Sequence, residues 1–124
     1  MGCAHIPAFI SWMEETEYAF LRSLGMSVSM NDRRGRFGFP RLTAEIDIRR
    51  PARLHEELIV NLKIGRLSEK QIEYRFEVRP ANSDSPGPIA EGRFDVACCR
   101  FPDETLPFAI LIPDDVLERL ERAG

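Results

Sequence analysis

The residues best suited to chemistry lie within the first 17 positions of the chain. His5 stands just ahead of a helix-forming stretch, and Glu14, Glu15 and Glu17 follow inside it. A carboxylate can take a proton from water, and the first N–H groups of a helix, which lack partners within the helix, can stabilise an anion. The segment therefore offers a base and an anion-binding element, and a helix must position both.

The sequence pattern predicts that helix over residues 7–24. Pro7 suits a first helical turn, where its missing N–H costs nothing, and Gly25 supplies a left-handed stop. Thr16 fills the one gap in an apolar face made by Phe9, Met13, Phe20 and Leu24. All three glutamates are predicted to lie off this face.

Later stretches alternate apolar and polar residues with period two, which is typical of half-buried strands. The predicted strands cover 42–49, 58–65, 71–78 and 90–99. The intervening segment 31–38, NDRRGRFG, is polar and contains glycine, so it is predicted to be a loop with solvated arginines. A short terminal helix is predicted to begin at Pro113.

These elements predict one α+β domain over residues 1–124. One-sided strands joined by short loops form an antiparallel sheet, and the helix at 7–24 is the only element large enough to cover its inner face. We therefore expect a curled antiparallel sheet wrapped around one long central helix.

Composition narrows the class of protein. The chain has 124 residues, 44% of them hydrophobic and 30% charged, and a net charge of −3, which does not support a nucleic-acid surface. No membrane span, secretory signal or metal-ligand spacing is evident. The three cysteines are predicted to be reduced thiols of a cytoplasmic protein.

Three groups of segments resemble the acyl-CoA thioesterases of the 4-hydroxybenzoyl-CoA thioesterase type. Residues 2–25, GCAHIPAFISWMEETEYAFLRSLG, match the family's Gly, His or aromatic, and helix with an internal Glu. Residues 45–58, EIDIRRPARLHEEL, match its strand, basic pair and Pro turn, and residues 64–78 and 89–99 match its last two long strands. The resemblance implies the hotdog fold and hydrolysis of a fatty or aromatic acyl-CoA.

The resemblance also implies roles for the residues of the first helix. Glu14 matches the helical Glu that serves as base or nucleophile, with Glu15 as a neighbour for comparison. The helix N-terminal amides around Ala8 to Ile10 match the oxyanion site, and His5 matches a residue that orients the substrate. Without the resemblance, Glu14 is a solvated or subunit-facing residue and His5 a polar end group.

Coenzyme A and the acyl group are assigned by the same resemblance. Cations near strand ends are implied to bind the phosphates of coenzyme A, together with one turn serine: Arg49, Arg50, Arg66, Ser68 and Lys70. Phe9 and Trp12 are implied to line the acyl tunnel. The alternatives are solvated strand-end charges and ordinary core aromatics.

The chain departs from the family pattern at its start. The Asp that many members carry ahead of the Gly matching Gly2 would lie before residue 1, and Ala8 stands where many members have Asn. We expect either that the protein begins upstream of Met1 or that the first strand of the family and this Asp are absent. These departures favour an alternative, a non-catalytic hotdog protein that binds an acyl ligand or serves in assembly. A dehydratase would need a His–Glu pair, for which His5 and Glu14 are the candidates. No cofactor is expected beyond the coenzyme A of the substrate, and a homodimer or homotetramer is expected.

Overall fold

The computed structural model describes residues 6–53, 55–82 and 87–124 and contains two helices and eight strands in these ranges. The helices are α1 (Ile6–Ser23) and α2 (Asp114–Ala123). The strands are β1 (Ser29–Asp32), β2 (Gly35–Gly38), β3 (Arg41–Ile48), β4 (Leu58–Leu67), β5 (Gln71–Pro80), β6 (Ala90–Ala97), β7 (Cys99–Arg100) and β8 (Phe108–Ala109). Both predicted helices and all four predicted long strands are confirmed to within a few residues.

The larger sheet is antiparallel and has the strand order β3-β6-β5-β4. On β5 the predicted inward side chains are all buried, and β6 follows the same alternation. Each of the large aromatic side chains at the centre of this face, Tyr74, Phe76 and Phe94, is at most 3% exposed. Helix α1 therefore packs against the inner face of this sheet.

A second, smaller sheet has the order β1-β2-β7-β8. The prediction that residues 31–38 form a loop is wrong, because 29–32 and 35–38 pair as an antiparallel hairpin. Phe37 is 3% exposed on this hairpin, so an aromatic anchor and the pairing with β7 outweigh the polar composition. The chain passes between the two sheets at Pro40 and at Cys98, which gives the curled shape.

Helix α1 buries a stripe that differs from the predicted one. The buried positions are spaced by four residues: Phe9, Met13, Glu17 and Leu21. Phe20 and Leu24 are only half-buried, and the prediction that Glu17 lies off the apolar face is wrong. The helix ends as predicted, with Gly25 at φ 74°.

Strand β3 contains an irregularity that changes which side chains point inward. Its pairing with β6 shifts between Arg41 and Thr43, so Leu42 is an extra residue in the ladder. Leu42 is 54% exposed instead of buried as its alternation predicts, and Arg41 points inward toward α1. Ala44 is also exposed, whereas Ile46 is half-buried as expected.

The terminal helix α2 adds to the same core. Val116 and Leu120 are buried in the cluster that includes Met13 and Tyr74, so the sheet is covered by two helices and not by α1 alone. No helix in the described parts of the chain is long and apolar enough to cross a membrane.

Candidate active site

The side chain of Glu14 is held by an arginine from the sheet. Arg41 donates from Nη1 to Oε2 of Glu14 at 2.9 Å, and the Glu14 side chain remains 35% exposed. The contact joins α1 to the first residue of β3, and the extra residue Leu42 is what turns Arg41 inward. The candidate base is therefore ordered and still reachable by solvent.

The same guanidinium serves a second carboxylate, which is buried. Arg41 donates from Nη2 to Oε1 of Glu17, whose side chain is 1% exposed. Oε2 of Glu17 has no hydrogen-bond partner among the described residues. Burial raises the pKa of Glu17, Arg41 counteracts this in part, and the nearby Glu14 adds to the rise.

Aromatic side chains enclose the guanidinium of Arg41. Its central carbon lies 4.6 Å from the ring centroid of Phe94 and 5.7 Å from that of Tyr18. Tyr74 lies fully buried close by, and burial followed by the charge of Glu17 raises the pKa of its phenol. The phenol of Tyr74 therefore stays protonated and has no hydrogen-bond partner in the described part of the chain.

A cleft of about 370 Å³ opens beside Arg41. It lies between α1 and the β1–β2 hairpin, and it is lined by two guanidinium groups, three aromatic rings and small residues: Tyr18, Val28, Ser29, Arg36, Phe39, Pro40, Arg41 and Phe101. Arg36 lies 5.4 Å from the ring centroid of Phe101. Arg41 lines this cleft and also contacts Glu14, so only the Arg41 side chain lies between the cleft and the candidate base.

Helix α1 is described from Ile6 onward. Within the described part of α1, the N–H of Ile10 faces the carbonyl of Ile6, whereas the N–H groups of Ile6, Ala8 and Phe9 have no helical partner there and Pro7 has no N–H. The prediction for His5 lies outside the described residues.

The two aromatic candidates for the acyl tunnel differ in exposure. Phe9 is 0% exposed and packs in a second cluster with Val78 and Ile89, so it is a core residue in this structure. Trp12 is half-buried and stacks edge-on against Phe9 with ring centroids 5.0 Å apart. Only Trp12 of this pair is reachable by a ligand.

The five candidates for binding coenzyme A form two separate groups within one chain. Arg49 and Arg50 follow the end of β3, whereas Arg66, Ser68 and Lys70 surround the β4–β5 turn at the opposite end of the sheet. Strand β3, which runs between these two ends of the sheet, has 8 residues and is roughly 25 Å long.

Their existing partners also separate these candidates. Arg50 is bound to Glu56 through both terminal nitrogens, at 3.0 and 2.6 Å, and this hydrogen bonding lowers the pKa of Glu56 to about 2. Arg49 makes an exposed ion pair with Glu91 at 3.2 Å. Arg66 and Lys70 have no ion-pair partner among the described residues, and Ser68 Oγ accepts the N–H of Gln71 at 3.1 Å.

Sequence reasoning missed Arg41 and the buried position of Glu17. The spacing of Glu17, four residues after Met13 and four before Leu21, was a usable signal, because that stripe also includes Phe9. Arg41 had no such signal, because its inward orientation depends on the irregular pairing of β3.

The remaining polar groups offer little further chemistry. Cys98 and Cys99 are free thiols, and burial is the main cause that raises the pKa of Cys98 to about 11. In the ranges 6–53, 55–82 and 87–124, no group of three His, Cys, Asp or Glu side chains could hold a metal ion.

Comparison with known sequences finds one family. The family model described as the thioesterase superfamily matches residues 1–86. No curated protein matches the chain significantly.

Several solved structures share the architecture. A hypothetical protein from Thermus thermophilus superposes with a TM-score of 0.79 at 22% identity, over 100% of this chain and 88% of its own. A 1,4-dihydroxy-2-naphthoyl-CoA thioesterase from Synechocystis gives 0.77 at 21%, over 96% and 83%. A gentisyl-coenzyme A thioesterase gives 0.75 at 19%, over 96% and 87%. At these identities the likeness concerns the fold, and it confirms the predicted hotdog architecture.

Proposed function

Since the chain belongs to the thioesterase superfamily, whose family model spans residues 1–86, we propose that it hydrolyses an acyl-CoA thioester. Glu14 is the general base in this proposal, and the amides of Ile6, Ala8 and Phe9 in the first turn of α1 are the oxyanion site. The observation that supports it most is the Arg41–Glu14 contact at 2.9 Å, which leaves an ordered carboxylate 35% exposed next to an aromatic-lined cleft.

The spacing along α1 favours a general base over a nucleophile within one copy of the chain. Glu14 lies six residues after Ala8, or about 9 Å along the helix axis. A carbonyl oxygen bound at the N–H of Ala8 leaves its carbon out of direct reach of the Glu14 carboxylate. A water molecule between the two fills that distance.

In the proposed reaction, Glu14 accepts one proton from water and later donates it to the leaving thiolate. Glu14 takes a proton from the water, whose oxygen bonds to the carbonyl carbon, and the amides stabilise the negative oxygen that forms. The C–S bond then breaks, and the coenzyme A thiolate takes the proton from Glu14. The products are a free acid and coenzyme A, and Glu14 returns to its ionised state.

A long acyl chain is proposed to run from the amides at the start of α1 toward the cleft beside Arg41, where Tyr18 lies about 15 Å along the helix from Ala8. The cleft measures about 370 Å³, and the half-buried rings of Tyr18 and Phe101 offer apolar surface to the far end of a fatty acyl chain. Phe9 gives no such surface because it is fully buried. Coenzyme A is proposed to use Arg66 and Lys70, whose charges are not engaged in ion pairs with described residues.

A second copy of the chain is part of the proposal. The outer edge of β3 has no partner strand in the described ranges, and Leu42 on it is 54% exposed. Exposed strand edges with apolar side chains pair readily with another chain. A homodimer formed at this edge would bring the two groups of coenzyme A candidates from different copies closer together than they are in one.

Release of free thiol from benzoyl-CoA and hexanoyl-CoA tests the activity. Glu14→Gln should lower kcat/KM on the order of 10²-fold, because the amide cannot take the proton. Glu15→Gln is the matched control, since Glu15 is exposed on the same turn and should leave the rate unchanged. Equal rates for Glu14→Gln and the unmodified protein, with folding intact, would exclude Glu14 as the base.

A non-catalytic acyl-binding protein is the second candidate. The observation that favours it is the alanine methyl at Ala8, where the family resemblance implies Asn. Trp12, the single tryptophan, is half-buried, so its fluorescence can report binding of an acyl-CoA. Saturable quenching without release of thiol from any acyl-CoA would favour this candidate.

A further inference from the structure

Arg41 joins two carboxylates that differ sharply in exposure. Glu14 is 35% exposed and Glu17 is 1% exposed, and each accepts a hydrogen bond from a different terminal nitrogen of the guanidinium. A guanidinium facing one carboxylate alone commonly forms two parallel hydrogen bonds to it. Here the second nitrogen is committed to Glu17, so Glu14 receives a single hydrogen bond through Oε2.

This division leaves the other oxygen of Glu14 available. Oε1 of Glu14 has no hydrogen-bond partner among the described residues, whereas a two-point contact with Arg41 would occupy it. A general base needs one free oxygen within hydrogen-bond reach of the water that it deprotonates. By occupying Nη2 of Arg41, the buried Glu17 therefore keeps Oε1 of Glu14 free, although it does not touch that atom.

The guanidinium is held from the protein side, not by Glu14. It lies 4.6 Å from the ring centroid of the fully buried Phe94, and its Nη2 is bound to the buried Glu17. Its Nε is buried without a hydrogen-bond partner among the described residues, so Phe94 and Glu17 are the contacts that hold the guanidinium. Glu14 is the more exposed partner, so it is the group whose position is set by this contact.

We propose that Glu17 and Arg41 are positioning residues for Glu14. Glu17 anchors the guanidinium and occupies Nη2, and Arg41 holds Glu14 by Oε2, so that Oε1 is presented to the attacking water. This inference rests on the proposed function, because it assigns a task to the surroundings of its base. Neither Glu17 nor Arg41 touches the reacting atoms.

The variant Glu17→Leu tests whether Glu17 anchors the guanidinium, and Arg41→Lys tests whether the guanidinium holds Glu14 in position. In Glu17→Leu the guanidinium is free to bind both oxygens of Glu14, and kcat should fall about 10- to 100-fold with KM nearly unchanged. Arg41→Lys keeps the charge but not the planar fork, so kcat should fall in the same way, and KM should rise as well because Arg41 lines the cleft. Glu15→Gln serves again as the control.

A double-mutant cycle separates positioning from a general structural role. If Glu17 acts only through Glu14, adding Glu17→Leu to Glu14→Gln should change the residual kcat by less than about 2-fold. A loss in the double variant as large as in Glu17→Leu alone would overturn the proposal. Circular dichroism and thermal melts confirm folding, and if Glu17→Leu fails to fold, Arg41→Lys is taken through the same cycle.

The two proposals fail in different ways. If Glu14→Gln retains full activity, the base of the proposed function is wrong. If Glu14→Gln loses activity but both Glu17→Leu and Arg41→Lys retain full kcat, only the positioning role is wrong.

Discussion

Replacing Arg41 with Met should destabilise the protein in a way that depends on pH. Met retains much of the packing against Phe94 but removes the cation that faces two carboxylates. Glu14 is 35% exposed and can turn to water at little cost. Glu17 is 1% exposed, so without Arg41 it must stay buried as an unpaired charge or take up a proton.

The free-energy cost of protonating Glu17 sets the size of the destabilisation. The ordinary pKa of a glutamate is 4.5, and keeping the side chain neutral costs about 1.4 kcal/mol for each pH unit above that value. The loss in the free energy of unfolding is therefore up to about 3 kcal/mol at pH 7 and below about 1 kcal/mol at pH 5. The unmodified protein carries part of this cost already, because burial raises the pKa of Glu17 even with Arg41 present.

The direction follows from proton binding. Glu17 has a higher pKa in the folded than in the unfolded state, so the folded state binds more protons above pH 4.5 and stability falls as the pH rises. Urea unfolding of Arg41→Met and of the unmodified protein at pH 5, 6 and 7 should give a gap that widens with pH. A gap that stays constant or narrows from pH 5 to 7 would refute the reasoning.

Arg93→Met is the matched control for this experiment. Arg93 also contacts two carboxylates, Glu45 and Asp95, at 2.9 and 3.2 Å. Both partners remain solvent-accessible, at 65% and 26%, so removal of the cation should cost only about 0.2–1 kcal/mol, with little change between pH 5 and 7.

Two further predictions concern the scaffold. Arg50→Met should lower the melting temperature at pH 7 but not near pH 2. The Arg50 contact holds the pKa of Glu56 at about 2, so the stability that this contact adds is lost as the pH falls from about 4.5 toward that value. An equal loss of melting temperature at both pH values would contradict this. Gly92→Ala should cost about 1–3 kcal/mol in urea unfolding, since a Cβ there would lie 2.6 Å from Cε of Met13. Adding Met13→Val should recover part of that loss, and an unchanged stability of Gly92→Ala would show that the end of the Met13 side chain turns aside.

The long strands and both helices were predictable because they depend on local periodicity. On β5, Ile72, Tyr74 and Phe76 are buried as their alternation predicts, and Glu73 is the exception among the polar residues between them. The small sheet was not predictable in this way, because its strands have 2 to 4 residues and depend on long-range pairing. Phe37 was the one apolar anchor in the segment predicted as a loop.

The candidate site was predictable only where it follows the helix. Glu14 came from a family resemblance, and Glu17 could have been found from its spacing to Met13. The orientation of Arg41 could not, because alternation along β3 assigns the inward position to Leu42. The site therefore departs from the pattern at the residue that links helix and sheet.

The extra residue in β3 makes the site depend on how this strand pairs with β6. If Leu42 itself paired with Val96, regular alternation would place Arg41 on the outer face, and Glu17 would lose its cation and Glu14 its hydrogen bond together. Deletion of Leu42 would instead leave Arg41 opposite Val96 and pointing inward. Among relatives of this chain, a one-residue deletion ahead of Thr43 should thus be compatible with Arg at position 41 and Glu at position 17.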